Sequence, residues 1–219
     1  MSPWRDWVWV VGLRREAQIA ERLGRTVVGV ATLGNVLGDA AGIVSFGLCG
    51  ALDPDLNAGD LIIADAVTSR YGRMEADAKA LNDLRAHLPD AHGGDMAGAD
   101  AIIGTVASKA SLRQYTGAAA VDMESHFAAD LARQRGLPFA IVRAVSDGAD
   151  RSLPRSAQAG FKADGEPDVG AVIRSLAVRP WELPALIKSA TDAERAFKAL
   201  ATASRLLTKF PDKERVRSV

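Results

Sequence analysis

The chain has 219 residues, a length suited to one domain. It carries 27 Lys plus Arg against 27 Asp plus Glu, so it has no global field for holding nucleic acid. With 48% hydrophobic and 25% charged residues it reads as an ordinary globular protein, and its single cysteine, Cys49, excludes a disulfide framework and a Cys-rich metal site and fits a reducing cytoplasm.

The opening "MSPWRDWVWVVGL" lacks the basic start of a signal peptide, and its apolar stretch reads as a first buried strand ending at Gly12. "REAQIAERLG" has helical spacing with Gly24 as its stop, and "TVVGVA" (26–31) is β-branched. "AGIVSFGLCGAL" (41–52) predicts a strand running into a glycine loop, and "GDLIIADAV" (59–67) predicts another. "DAIIGTVAS" (100–108) and "GAAAV" (117–121) are strand candidates, with "KASLRQY" between them. "SHFAADLARQRG" (125–136) is an amphipathic helix, and "LPFAIVRAVSD" (137–147) is a strand with a polar end. Beyond Pro167 the pattern is helical to about Leu207, interrupted by Pro180 and Pro184. No run approaches the roughly 18 apolar residues of a membrane span.

Apolar strands alternating with helices predict an α/β fold, a three-layer α-β-α sandwich around a mixed, mainly parallel central sheet. One domain is expected over 1–219, with 176–219 a helical C-terminal extension and frayed tail. Ligands in such folds bind beyond the carboxyl ends of the strands. There this chain places Gly12 to Glu16, Ser45 to Gly50, Asp122 to Glu124, and Ser146 with Asp147.

"VDMES" and "VRAVSDGAD", with the glycine loop "FGLCGALDPDLNAGDLIIAD", resemble three ordered signatures of the nucleoside phosphorylase and nucleosidase superfamily. The resemblance implies cleavage of the N-ribosyl bond of a purine nucleoside, most simply adenine-bearing, without a metal or organic cofactor. Asp147, kept protonated by partial burial and oriented by Ser146, would donate to N7 of the departing base. Glu124 would accept the ribose hydroxyls, and Met123 would pack against the sugar. Asp122 is expected to cap the following helix. Base contacts fall by resemblance on Ala107 and Ser108, with Phe46 a candidate for stacking.

"GLRREAQIA" leaves two nucleophiles open. Arg15 matches a phosphate-holding arginine of the phosphorylases, with Ser45, Gly47 and the loop N–H groups of 47–50 as further phosphate contacts and inorganic phosphate as co-substrate. Glu16 falls near the carboxylate that activates water in nucleosidases. The expectation is phosphorolysis, with methylthioadenosine/S-adenosylhomocysteine-type hydrolysis as the alternative and a non-catalytic nucleoside-binding relative as the second. Leu48 departs from the family, which usually has serine there. Gly12 begins no Gly-x-Gly-x-x-Gly pattern, which disfavours a dinucleotide-binding oxidoreductase.

Among the family's branches the chain looks most like the bacterial hopanoid-associated phosphorylases, through "VVGLRREAQIA", "SFGLCGAL", "AVDMES" and "RPWELPALI". That narrower resemblance implies adenosylhopane, a nucleoside with a large apolar 5′ substituent. The segment 176–187 would then either meet that substituent, touch a membrane peripherally, or pack against a second subunit. The family implies a homodimer.

Overall fold

The computed structural model describes residues 4–158 and 168–209. In chain order the elements are β1 (Trp7–Val11), α1 (Arg14–Ala20), β2 (Arg25–Val28), α2 (Leu33–Val36), β3 (Gly42–Ala51), β4 (Leu61–Ile63), β5 (Ala66–Ser69), β6 (Gly72–Glu75), α3 (Ala78–His87), β7 (Met96–Gly98), α4 (Val106–Thr116), β8 (Ala120–Asp122), α5 (Ser125–Arg135), β9 (Phe139–Asp147), α6 (Arg155–Gln158), α7 (Val169–Val178) and α8 (Leu183–Leu207). A 3₁₀ turn, Pro180–Glu182, joins the last two.

The sheet is mixed and mainly parallel. Its order is β2-β1-β3-β8-β7-β5-β6, and β9 lies along β3 with β4 beyond it. The ten-residue β3 is central. It pairs in parallel with β1 near its start, antiparallel with β8 at Gly50 and Ala51, and in parallel with β9 along most of its length.

Both faces of these central strands are covered, so they are apolar at successive positions. On β1, Val8 and Val10 join one core cluster while Trp9 and Val11 join the other. The first cluster packs the sheet against α5 through Ala128, Ala129 and Ala132. The second packs it against α3 and α8 through Leu84, Ala196, Leu200 and Ala203. Helix α5 ends where expected, at Gly136, whose φ of 63° is one that residues with a Cβ rarely adopt.

Several predicted elements differ. "DAIIGTVAS" is not a strand; residues 99–104 are irregular and α4 starts at Val106, where Thr105 accepts from Ser108 N–H and caps it. The neighbouring strand is instead the three-residue β7. "GDLIIADAV" divides into β4, antiparallel to β9, and β5, parallel to β7. Pro184 does not interrupt α8, because it sits in the first turn, where the absent N–H would have no helical acceptor. Helix α8 belongs to the outer layer: Ala196, Phe197, Leu200, Ala203 and Leu207 are buried against the sheet. The expected tail at 210–219 lies outside the described residues.

Candidate active site

Beyond the carboxyl ends of β1, β3, β8 and β9 lies a solvent-open cavity of about 770 Å³ including its mouth, in the range of small-molecule sites. It is lined by Gly12, Leu13, Glu16, Leu48 to Gly50, Ala101 to Ile103, Val121 to Glu124, Ser146, Asp147 and Leu153. Three segments far apart in sequence thus place Glu16, Met123, Glu124, Ser146 and Asp147 around one space.

Ser146 and Asp147 are consecutive in a strand, where side chains normally point to opposite faces. A register shift against β3 resolves this: Cys49 pairs with Val145, but Gly50 pairs with Asp147. The extra residue in β9 re-aims the strand end, so both side chains reach the cavity. Ser146 Oγ lies 2.8 Å from Asp147 Oδ1 and 3.1 Å from the Cys49 carbonyl.

Glu16 stands in the first turn of α1 but is only 1% exposed. Its Oε2 accepts from the N–H groups of Gly12 (2.8 Å) and Leu13 (2.9 Å), and its Oε1 accepts from Leu48 N–H (2.7 Å). Burial pushes the Glu16 carboxyl above the usual carboxylate range, while Arg143 and the three N–H donors oppose that. The Leu48 N–H, expected to hold an anion, is therefore already engaged.

Arg143 is the main residue that the sequence reading missed. It lies in β9 among apolar neighbours and is 1% exposed. Its Nη2 is 2.6 Å from Asp122 Oδ2 and donates to Ser45 Oγ at 2.6 Å. Its Nη1 lies 3.3 Å from Glu124 Oε2 and donates to the Leu48 carbonyl. The signal was present: a charge inside "PFAIVRAV", on the strand that should be buried on both faces, must have buried partners.

Glycine is required twice beside these groups. A Cβ on Gly12 would stand 2.7 Å from Glu124 Oε1, and one on Gly47 would stand 2.6 Å from Glu16 Oε1 and 2.7 Å from Arg143 Nη1. Asp122 accepts from Ser125 N–H at the start of α5, as a cap would, while also pairing with Arg143.

The phosphate-binding set is not assembled. Arg15 follows α1 round by about 100° from Glu16 and so faces α8. There it forms a two-point ion pair with Glu194, with one leg at 2.8 Å, and covers the Phe197 ring at 4.1 Å. Ser45 is fully buried behind the cavity, bonded by Arg143 and Ser125. Gly47 serves close packing and does not line the space.

The base contacts also move. Ser108 is spent on capping α4 with Thr105, and neither it nor Ala107 lines the cavity; Ala101, Ile102 and Ile103 do. The misread strand explains the displacement. Phe46 is buried against Trp9, their ring centroids 5.4 Å apart, and is not available to stack. A buried lysine, Lys109, instead reaches Asp147 from α4.

Glu124 supplies a titration test. Burial first, and then Asp122 and Glu16, push its carboxyl up to about 7, against the pull of Arg143. A raised carboxyl favours folding most at low pH, and that contribution is lost as the pH rises through about 7. Ligand binding has the opposite sign, because ribose hydroxyls need the ionised acceptor. Affinity for an uncleaved adenosine analogue is expected to weaken as pH falls through about 7. Glu124→Gln should bind weakly and without that dependence; calorimetry at pH 5.5 and 8 checks both.

Among the described residues no group of three or more His, Cys, Asp or Glu is arranged to hold a metal ion, and no helix is long and apolar enough to cross a membrane. The apolar segment near the C-terminus is exposed: Ile173, Val178, Trp181 and Ile187 are all more than half accessible. A smaller cavity beside the site is lined by Asp147, Arg151 to Leu153, Ala185, Lys188, Ser189 and Asp192, and it meets the segment 176–187 at Ala185.

Residues 22–177 match the family model of the phosphorylase superfamily, and the chain belongs to that family. It is 31% identical over 134 residues to a 5′-methylthioadenosine/S-adenosylhomocysteine nucleosidase from Staphylococcus saprophyticus, covering 49% of this chain and 57% of that protein. A nucleosidase of the same description from Staphylococcus aureus is 30% identical over 143 residues, covering 53% and 61%. The chain thus spans less than two thirds of the length of these relatives. Among solved structures, futalosine hydrolase from Helicobacter pylori has a TM-score of 0.67 at 13% identity, covering 93% of this chain and 97% of that one. The S-adenosylhomocysteine nucleosidase from Streptococcus pyogenes in complex with 5-methylthiotubericidin has a TM-score of 0.62 at 15% identity, with the same coverage. These likenesses show the fold.

Proposed function

We propose that the protein cleaves the N-ribosyl bond of an adenine nucleoside with water as nucleophile. The observation that carries this reading is the convergence of Glu16, Glu124 and Asp147 on one cavity from which Arg15 is turned away. Glu16 takes a proton from water as its oxygen bonds to C1′. The C1′–N9 electron pair leaves with the base, and Asp147 supplies the proton that N7 needs. Glu124 accepts the ribose hydroxyls and its charge favours the cationic sugar of the transition state. Met123, 40% exposed at the rim, covers the sugar.

Phosphorolysis, the first expectation, loses its arginine and its serine in this geometry. The deciding experiment is adenine release from adenosine and from 5′-alkylated adenosines, with and without phosphate. Equal rates are expected, with ribose from adenosine and the correspondingly 5-alkylated ribose from the alkylated substrates. Strict phosphate dependence with ribose 1-phosphate as product would overturn the hydrolytic reading. Asp147→Asn is expected to fold normally and lose about 10² or more in rate.

The 5′ substituent is the finer question. The start of α8 reaches the Asp147 end of the site through Ala185, on the side of the base of a nucleoside oriented in this way. The exposed apolar segment is also what an expectation of peripheral membrane contact rests on. Adenosylhopane belongs in the substrate series on the strength of the sequence resemblance, and sedimentation of the purified chain tests the implied homodimer.

A further inference from the structure

Lys109 comes from "ASKASL", a stretch whose residues otherwise serve helix α4. Its side chain is 1% exposed, and a lysine is seldom buried unless its charge is matched. All three ammonium hydrogens have acceptors: Asp147 Oδ2, the Gly148 carbonyl at 2.7 Å and the Arg151 carbonyl at 3.2 Å. Among the described residues its ion-pair partner is Asp147.

A purely mechanical purpose for this burial is already met by other means. The 148–151 loop is tied from the opposite side by Arg151, whose Nη1 lies 2.7 Å from the buried Asp192 of α8. Two carbonyls could also be satisfied by neutral donors, without the desolvation cost of an ammonium. What a neutral donor could not supply is a full positive charge against the Asp147 carboxyl, from a residue that does not itself line the cavity.

We propose that Lys109 is a positioning residue for Asp147, acting on the proton transfer to the departing base. The proposal rests on the reading of the site as one that cleaves a purine N-ribosyl bond. With Oδ2 held by Lys109 and Oδ1 beside Ser146, the carboxyl group has one orientation. In the resting site the ammonium is matched by the Asp147 carboxylate. The proton that Asp147 passes to N7 is one it takes up with the nucleoside bound. As that proton leaves, the negative charge returns against the ammonium. That interaction is strongest after the transfer, so it lowers the barrier and not merely the energy of the bound substrate. The other charged or titratable groups around the pair are Asp150 and Arg151 on the loop, Asp192 on α8 and Cys49 on β3.

Lys109→Met and Lys109→Gln test this, the second keeping neutral donors for the two carbonyls. Each is compared with wild type on adenosine and on 4-nitrophenyl riboside, whose leaving group needs no proton at N7. Both variants are expected to lose about tenfold or more in kcat on adenosine, with little change in KM. Turnover of the nitrophenyl riboside should be nearly unchanged. Equal losses on the two substrates would reduce Lys109 to a structural role and overturn the proposal. So would a wild-type kcat on adenosine, while leaving the proposed function intact. A wild-type enzyme that cleaves the nitrophenyl riboside but no purine nucleoside would instead sink the functional reading and this inference with it.

Discussion

Arg143→Met is expected to cost about 3–5 kcal/mol of folding stability, because it strips one buried guanidinium from several buried or half-buried acids. Asp122 and Glu16 are each 5% exposed or less, and Glu124 completes the group around Arg143. A loss of that size is a large fraction of the roughly 5–15 kcal/mol that holds a typical domain folded. The penalty should depend on pH. The carboxyls of Glu16 and Glu124 already sit high, and without the guanidinium their ionised forms become less favourable still. Urea unfolding should therefore show a greater deficit at pH 8 than at pH 5. Arg143→Lys should recover only part of the stability, because an ammonium cannot make the forked contacts to Asp122, Ser45 and the Leu48 carbonyl. A deficit under 1 kcal/mol at pH 8 would show that the cluster is not held together by this residue.

Glu16→Gln is expected to lower kcat on adenosine by about 10²–10⁴ while a bound adenosine analogue still reports an assembled site. The substitution removes the group that receives the proton of water. It also turns an amide NH₂ toward backbone N–H groups that now have a carboxylate oxygen, so the melting temperature should fall modestly. The adjacent position is the control. Arg15→Ala breaks an ion pair whose two side chains are about half exposed, which is worth at most about 1 kcal/mol. Its hydrolytic rate should stay near wild type. If instead Arg15→Ala raised KM for phosphate while Glu16→Gln left turnover intact, phosphate and not water would be the nucleophile.

The chemistry-bearing carboxyls were legible in the sequence because each ends a recognisable strand or opens a recognisable helix. Gly12 and the "VSD" strand end sit at carboxyl ends of β1 and β9, which run parallel to β3 and so finish on one side, while β8 runs antiparallel to β3 and brings the "VDMES" junction to the same place by pairing with it at Gly50 and Ala51. The alternation of apolar runs and helices carried the layer architecture for the same reason, since strands covered on both faces have to be apolar throughout.

Only the folded chain decided which of two neighbours faces the site. Arg15 and Glu16 are adjacent in sequence, and a helix separates them by about 100°, so one must turn outward. Helix phase depends on what α8 and β3 offer: Glu194 and Phe197 on one side, the Leu48 N–H on the other. The two buried cations were likewise settled by tertiary structure. Arg143 gains its meaning from Asp122 and Glu124, some twenty residues earlier, and Lys109 from a strand end 38 residues later. A charge in an apolar run signals that a partner exists, but long-range packing alone says which one. The register shift between β3 and β9 is of the same kind, since a bulge is defined by two strands together.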